Sequence, residues 1–231
     1  MINYTKYNNI LIIYILIQKG VMMEQTKEKR IDRKKEKNRK KIISTAIRLF
    51  NSQGYDQTTV EQIAEDADVA RGTIFNHFPV KEAMILGYVQ RGLNDVAPKI
   101  VKEVEKLPDT RAQLVVLYRL ANEWLENNLN EDVIKRYMSY MIQAQLDTNG
   151  NQELRNGYGE ILKRIIGTGQ VQGEIRRDIL ASTLAIYLDW QNALVMITWL
   201  SYPDMSLADM IDRMTDLFLH GAVDRTSRAV G

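Results

Sequence analysis
Between Thr58 and Lys81 the chain gathers Arg71, Gly72, Thr73, Phe75, Asn76 and His77 on one short segment, with Lys81 just beyond it. These types suit the reading of a nucleic acid. Arg71 can donate its fork of N–H groups to a phosphate or to guanine, and Thr73 and Asn76 can pair with base edges. Gly72 lets the backbone come close to a duplex. Lys81 is expected to hold its ammonium against a phosphate. Lys40 and Thr59, on the approach to this segment, complete the candidate contact set. No other part of the chain assembles comparable chemistry. It has no Ser-His-acid set, phosphate-binding loop or cysteine, and only two histidines, His77 and His220, far apart. No catalytic residue, metal site or cofactor is expected, and the chain does not read as an enzyme.

Two short helices must position these side chains. Thr59 followed by Gln62 forms a capping box that starts the first helix, and Ile63 and Ala64 supply its apolar side. The chain turns at Asp66 to Val69, where Asp68 tolerates a left-handed backbone and Val69 plugs the corner. The second helix runs from about Ala70 to His77, and Pro79 ends it. Ile74 and Phe78, four apart, face inward and leave the polar set outward. A short helix, a tight turn and a second short helix make a helix-turn-helix. Upstream, Ile42, Ile43, Ala46, Ile47 and Phe50 form an amphipathic stripe for a preceding helix, which Gly54 ends.

The pattern of Ala46, Leu49-Phe50, Gly54-Tyr55, Thr58-Thr59, Ile63-Ala64, Val69, Gly72-Thr73, Phe75, His77-Phe78 and Lys81-Glu82 resembles the DNA-binding region of the TetR family of bacterial repressors. Asp68 stands where that family usually has Gly, Ala70 where a capping Ser is usual, and Phe75 where Tyr is usual. The resemblance implies an all-α fold: a three-helix helix-turn-helix DNA-binding domain, then a larger helical ligand-binding and dimerisation domain. It also implies a homodimer, a double-stranded DNA operator and a ligand cavity in the body.

The formal net charge of +2 conceals an asymmetry. Residues 24–41 carry ten basic and four acidic residues, whereas the chain from Ile42 onward carries nineteen basic and twenty-five acidic. A basic arm leading into a more acidic body points to nucleic-acid contact at one end. The expected divisions are a leader or extension at 1–23, the basic arm at 24–41, the DNA-binding domain at 42–82, the regulatory and dimerisation body at 83–222 and a tail at 223–231. Ile10 to Ile17 is too short to span a membrane, and translation is expected to start at Met22 or Met23. A membrane anchor is the alternative reading; a cytoplasmic protein is expected.

The body reads as six helices. The first starts at Lys81, where Pro98 kinks or splits it. Because it leaves the reading surface and enters the body, it is the expected lever between ligand and DNA. Asp109 and Ser206 are N-cap candidates for later helices. The helix from Ile179 to Leu200 is apolar nearly all round, which calls for burial against several partners. Together with the last helix it is expected to pair with a second copy through Leu194, Ile197, Met210, Met214 and Leu217. Tyr118, Trp124, Tyr137, Met141, Tyr158 and Trp190 are candidates to line a cavity for a small apolar or amphipathic ligand. The function these features support is a sequence-specific transcriptional regulator, a repressor released from its operator by a small molecule. A DNA-binding organiser without an inducer is the alternative.

Overall fold
The computed structural model describes residues 32–146, 157–202 and 204–221, and among them it contains helices and no strand. The expected leader, the start of the basic arm and the tail lie outside the described residues. In chain order the helices are α1 (32–53), α2 (Val60–Asp66), α3 (Arg71–His77), α4 (Glu82–Val104), α5 (Thr110–Asn128), α6 (Glu131–Leu146), α7 (Gly157–Gln172), α8 (Ala181–Ser201) and α9 (Leu207–His220).

The basic arm is already helical at residue 32 and runs without a break into the amphipathic stripe of α1. Ile42, Ala46, Phe50, Ile63 and Ile74 are completely buried, and Tyr55 and Phe78 nearly so. Each of the large aliphatic and Phe side chains contributes roughly 1.5–3 kcal/mol on leaving water. The short helices α2 and α3, seven residues each, are thereby held by α1 and by one another. Phe50 and Tyr55 pack ring to ring at 5.0 Å.

In the body, α5 is the central strut, touching α4, α6, α7 and α9. Asp109 caps it, accepting from the Ala112 N–H at 2.8 Å, and the Glu174 carboxylate accepts from the Thr110 N–H at 2.7 Å. Gly169 permits that second contact: a methyl there would sit 2.4 Å from the Thr110 hydroxyl. Helix α4 is not split; it continues through Pro98 to Val104. Ser206 caps α9, accepting from the Asp209 N–H. On the outside of this joint, Arg111 donates to Asp216 at 2.7 Å and Arg119 pairs with Asp212, tying α5 to α9.

Helix α8 departs from the expectation of burial all round. It packs on α6, α7 and α9, yet Ile186, Tyr187, Trp190 and Leu194 remain exposed. Three neighbours cover only part of a helix circumference.

The link between the two halves also differs from expectation. Helix α4 is one connection. A second is the α5–α6 corner, which clasps the end of α1. Asn51 donates to the Asn128 carbonyl at 2.9 Å, and its own amide oxygen accepts from the Asn130 N–H at 3.2 Å. The Asn130 side chain donates to the Phe50 carbonyl, and Arg136 of α6 reaches Asp56 at 2.7 Å while lying over the Tyr55 ring. Helix α4 is therefore not the sole route from body to reading surface.

Candidate nucleic-acid interface
The start of α2 is built as the capping box requires. The Thr59 hydroxyl accepts from the Gln62 N–H at 3.1 Å, and the Gln62 side chain accepts from the Thr59 N–H at 2.9 Å. Gln53 at the end of α1 donates to both Gln62 and Thr58. The turn into α3 passes through Asp68, the one described non-glycine residue with positive φ, at 48°. The Val69 N–H bonds the Ala64 carbonyl, and the Val69 side chain packs on the core.

Helix α3 begins at Arg71 with no side-chain cap from Ala70. Ile74 and Phe78 point inward, and Arg71, Gly72, Phe75 and Asn76 are exposed, with Thr73 and His77 half-buried. A methyl added to Gly72 would meet nothing within 4 Å. No packing inside this chain demands glycine at 72; the open space lies on the outward side.

Helix α1 brings Lys34, Lys35 and Asn38 alongside Thr73, Asn76 and His77, and the six residues border one open cleft of about 530 Å³. Sequence reading had not joined these three to the site. The available signal was that the arm continues α1 as a helix, which sets 34 and 38 one turn apart on one face. The cleft combines two ammonium groups with hydroxyl, amide and imidazole groups. Burial, then Arg39 and Lys35, lower the pKa of His77, so its ring is held neutral more readily than a free histidine. A neutral imidazole can accept as well as donate a hydrogen bond.

Two candidates are already engaged. Arg71 pairs with Glu61 at 2.9 Å and lies over the Phe75 ring. A phosphate or guanine approaching Arg71 meets a guanidinium already paired on one nitrogen. Lys81 requires a correction. Its ammonium donates to the Tyr55 carbonyl at 3.0 Å and the Thr58 carbonyl at 2.9 Å, and it sits 4.1 Å from the centre of the Tyr55 ring. It clips α4 to the α1–α2 turn and is not presented to a phosphate. Lys40 is exposed and paired loosely with Glu36 at 3.7 Å.

The body candidates separate into different places. Tyr137 and Met141 line a recess of about 90 Å³ between α4, α5, α6 and α8, together with Asp189, Asn192 and Met196. Tyr118 is wholly buried core. Trp124 packs on Tyr88 and into the space left by Gly92, and Trp190 is 44% exposed. Neither lines that recess. The side chain of Tyr158 lies outside the described residues. Of the pairing candidates, Leu194 and Leu217 are exposed and Ile197 and Met210 partly so, but Met214 is 5% exposed. Met214 belongs to the core of this chain, because the inner side of α9 turns it and Ile211 inward. No group of His, Asp and Glu among the described residues is arranged to hold a metal. No described helix is long and apolar enough to cross a membrane.

Fold and surface together define a helix-turn-helix protein with an all-helical body. Residues 42–88 match the family described as bacterial regulatory proteins, tetR family. This domain places a TetR-type DNA-binding region at residues 42–88. It is 31% identical over 147 residues to the uncharacterised HTH-type transcriptional regulator YerO of Bacillus subtilis, a match covering 55% of this chain. That match spans about half of YerO, 49%, and the matches to the next two curated relatives span 28% and 42% of theirs. Among solved structures, the chain resembles Thermus thermophilus FadR, a TetR-family repressor in complex with lauroyl-CoA. The TM-score is 0.65 at 26% identity, covering 84% of this chain and 99% of that one. It shares the fold of Bacillus subtilis FadR in complex with stearoyl-CoA, with a TM-score of 0.58 at 19% identity, covering 79% and 98%.

Proposed function
We propose that this chain is a cytoplasmic, sequence-specific DNA-binding transcriptional regulator that acts as a homodimer and leaves its operator when a small molecule binds the body. The observation that carries the reading is the α3 surface: an exposed polar face fixed from behind by Ile74 and Phe78 and flanked by Lys34 and Lys35 of α1. A rigid short helix with a polar outer face fits the major groove, and the flanking lysines fit the phosphates beside it. No catalytic step is assigned to any residue.

The homodimer rests on the apolar stripe of α8, where Ile186, Tyr187, Trp190 and Leu194 are 44–63% exposed; Leu217 of α9 is exposed as well. A contiguous apolar strip of this kind marks a partner surface, and a second copy satisfies it symmetrically. Two recognition helices set about 34–36 Å apart would enter successive major grooves. A ligand in the recess beside α4, α5 and α6 would favour one placement of these helices over another and so alter that spacing. The structural neighbours that hold acyl-CoA support a ligand-bearing body. The organiser without an inducer is favoured by one observation, the small recess, which is well below the roughly 300–1,000 Å³ common for ligand sites.

Selection of genomic fragments on the purified chain, followed by titration of the enriched sequence, tests the reading. Arg71→Ala or Asn76→Ala should cost about 1–3 kcal/mol and relax the preferred sequence. Unchanged operator affinity in both variants rejects α3 as the reading element.

A further inference from the structure
The recess between α4, α5, α6 and α8 contains one carboxylate and no opposing charge. Of its eleven lining residues only Asp189 is acidic or basic. Asp189 stands on α8 one turn before Asn192, whose amide oxygen accepts from Asn122 of α5 at 3.2 Å. The other wall is apolar and aromatic: Tyr137 and Met141 of α6 face Met196 of α8. Asp189 lines the recess and is exposed, yet the surrounding protein desolvates it enough to raise its carboxyl pKa. Among the described residues no ion pair is made by this carboxyl, and burial is what raises its pKa. A partly desolvated carboxylate gains from an opposite charge placed beside it.

We propose that this recess binds a small amphipathic cation, whose ammonium or amidinium group pairs with Asp189 while its apolar remainder lies against Tyr137, Met141 and Met196. The inference rests on the reading that the body holds a small molecule, and it names that molecule's charge. The aromatic face of Tyr137 adds attraction for a cation, and methionine side chains re-pack around ligands of different shape. The space of about 90 Å³ suits a head group of a few atoms. An acyl-CoA would have to enlarge it, and its phosphates would be repelled by Asp189 if they came near.

Isothermal titration of the full chain tests this with matched probes: phenethylammonium and hexylammonium against their uncharged analogues, phenethyl alcohol and hexanol, with lauroyl-CoA as the anionic comparator. The wild-type chain should bind each cation about 10–150-fold more tightly than its alcohol, the range expected of one charge-assisted contact. Asp189→Asn should abolish the preference and leave the alcohol affinity in place, while Asp189→Glu should retain part of it. Equal affinity for cation and alcohol, no measurable cation binding, or a preference that survives Asp189→Asn overturns the proposal. Should Asp189→Asn fail to fold by circular dichroism, the wild-type comparison decides alone. Operator titration separates the two readings. Release by lauroyl-CoA but by neither cation sinks this inference and keeps the ligand-released regulator. If a cation binds in the titration but no probe of any charge shifts operator affinity, the inference stands and release by ligand falls.

Discussion

Replacing Lys81 by methionine separates two roles that a lysine at the start of α4 could play. Its two hydrogen bonds, at 2.9 and 3.0 Å to main-chain carbonyls, hold α4 against the α1–α2 turn. A hydrogen bond involving a charged group is worth about 1.5–3 kcal/mol net. The Tyr55 carbonyl keeps a partner in the Thr58 N–H, and a methionine thioether still packs on the Tyr55 ring. The ammonium also pays for its partial burial, which lowers its pKa. Loss of the clip should therefore cost about 2–3 kcal/mol. For a domain of this size, about 2–4 °C per kcal/mol makes that a fall of roughly 4–12 °C in Tm. The assay pairs a thermal melt of Lys81→Met with operator titrations at several salt concentrations. The slope of log affinity against log salt should match wild type, because no phosphate contact has been removed. A variant that melts like wild type, but whose salt slope is smaller by about one per subunit, would refute the clip and restore the phosphate contact.

Gly92→Ala should destabilise the fold by about 1–3 kcal/mol in a thermal melt, since its methyl would fall 1.8 Å from the rigid Trp124 ring. Gly87→Ala, facing only the flexible ends of Ile43 and Arg39 at 3.0–3.6 Å, should cost less than Gly92→Ala in the same experiment. Gly72→Ala should leave the melt unchanged or raise it by up to about 1 kcal/mol, as alanine favours helix, while weakening operator binding in a mobility-shift titration. Asp189→Asn should raise the Tm of the ligand-free chain at neutral pH. A carboxyl with a raised folded-state pKa gives up stability as pH climbs through that value, so the advantage should vanish below about pH 4, where both states are protonated. Leu194→Glu should shift sedimentation toward the monomer, because the charge would enter the exposed apolar stripe of α8.

The parts of the fold that were legible in the sequence are those set by local rules. Thr59 with Gln62, Asp109 and Ser206 start helices because each side chain meets an N–H two or three residues on, and those bonds are present. Asp68 takes the left-handed turn because a short polar side chain tolerates it. Ile74 and Phe78 face inward because helical spacing puts them on one side. The misreadings concern side chains whose partners lie far away in sequence. Lys81 turns inward because the carbonyls of Tyr55 and Thr58 are waiting there, and nothing within a few residues of it reveals that. Arg71 keeps its candidate role, but its pairing with Glu61 of the preceding helix was likewise not legible locally. Met214 and Leu217 are both apolar residues of α9, yet one is buried and the other exposed. An apolar stripe wide enough for two surfaces does not say which residue serves which. The place of Asp189 at the recess depends on how α5, α6 and α8 meet, which no local pattern reveals.

The hydrogen-bonded corner of α5 and α6 on the end of α1 has a consequence for how DNA is found. Reading heads on slack tethers search independently, and each must be ordered at the moment of binding. Here Asn51, Asn128 and Asn130 hold the head against the body before any DNA arrives. If two copies pair as proposed, the distance between heads becomes a property of the folded pair, and little ordering entropy is left to lose on the operator. Such a protein should tolerate an inserted base pair between half-sites poorly, much as a fixed-gap caliper rejects a part of the wrong width.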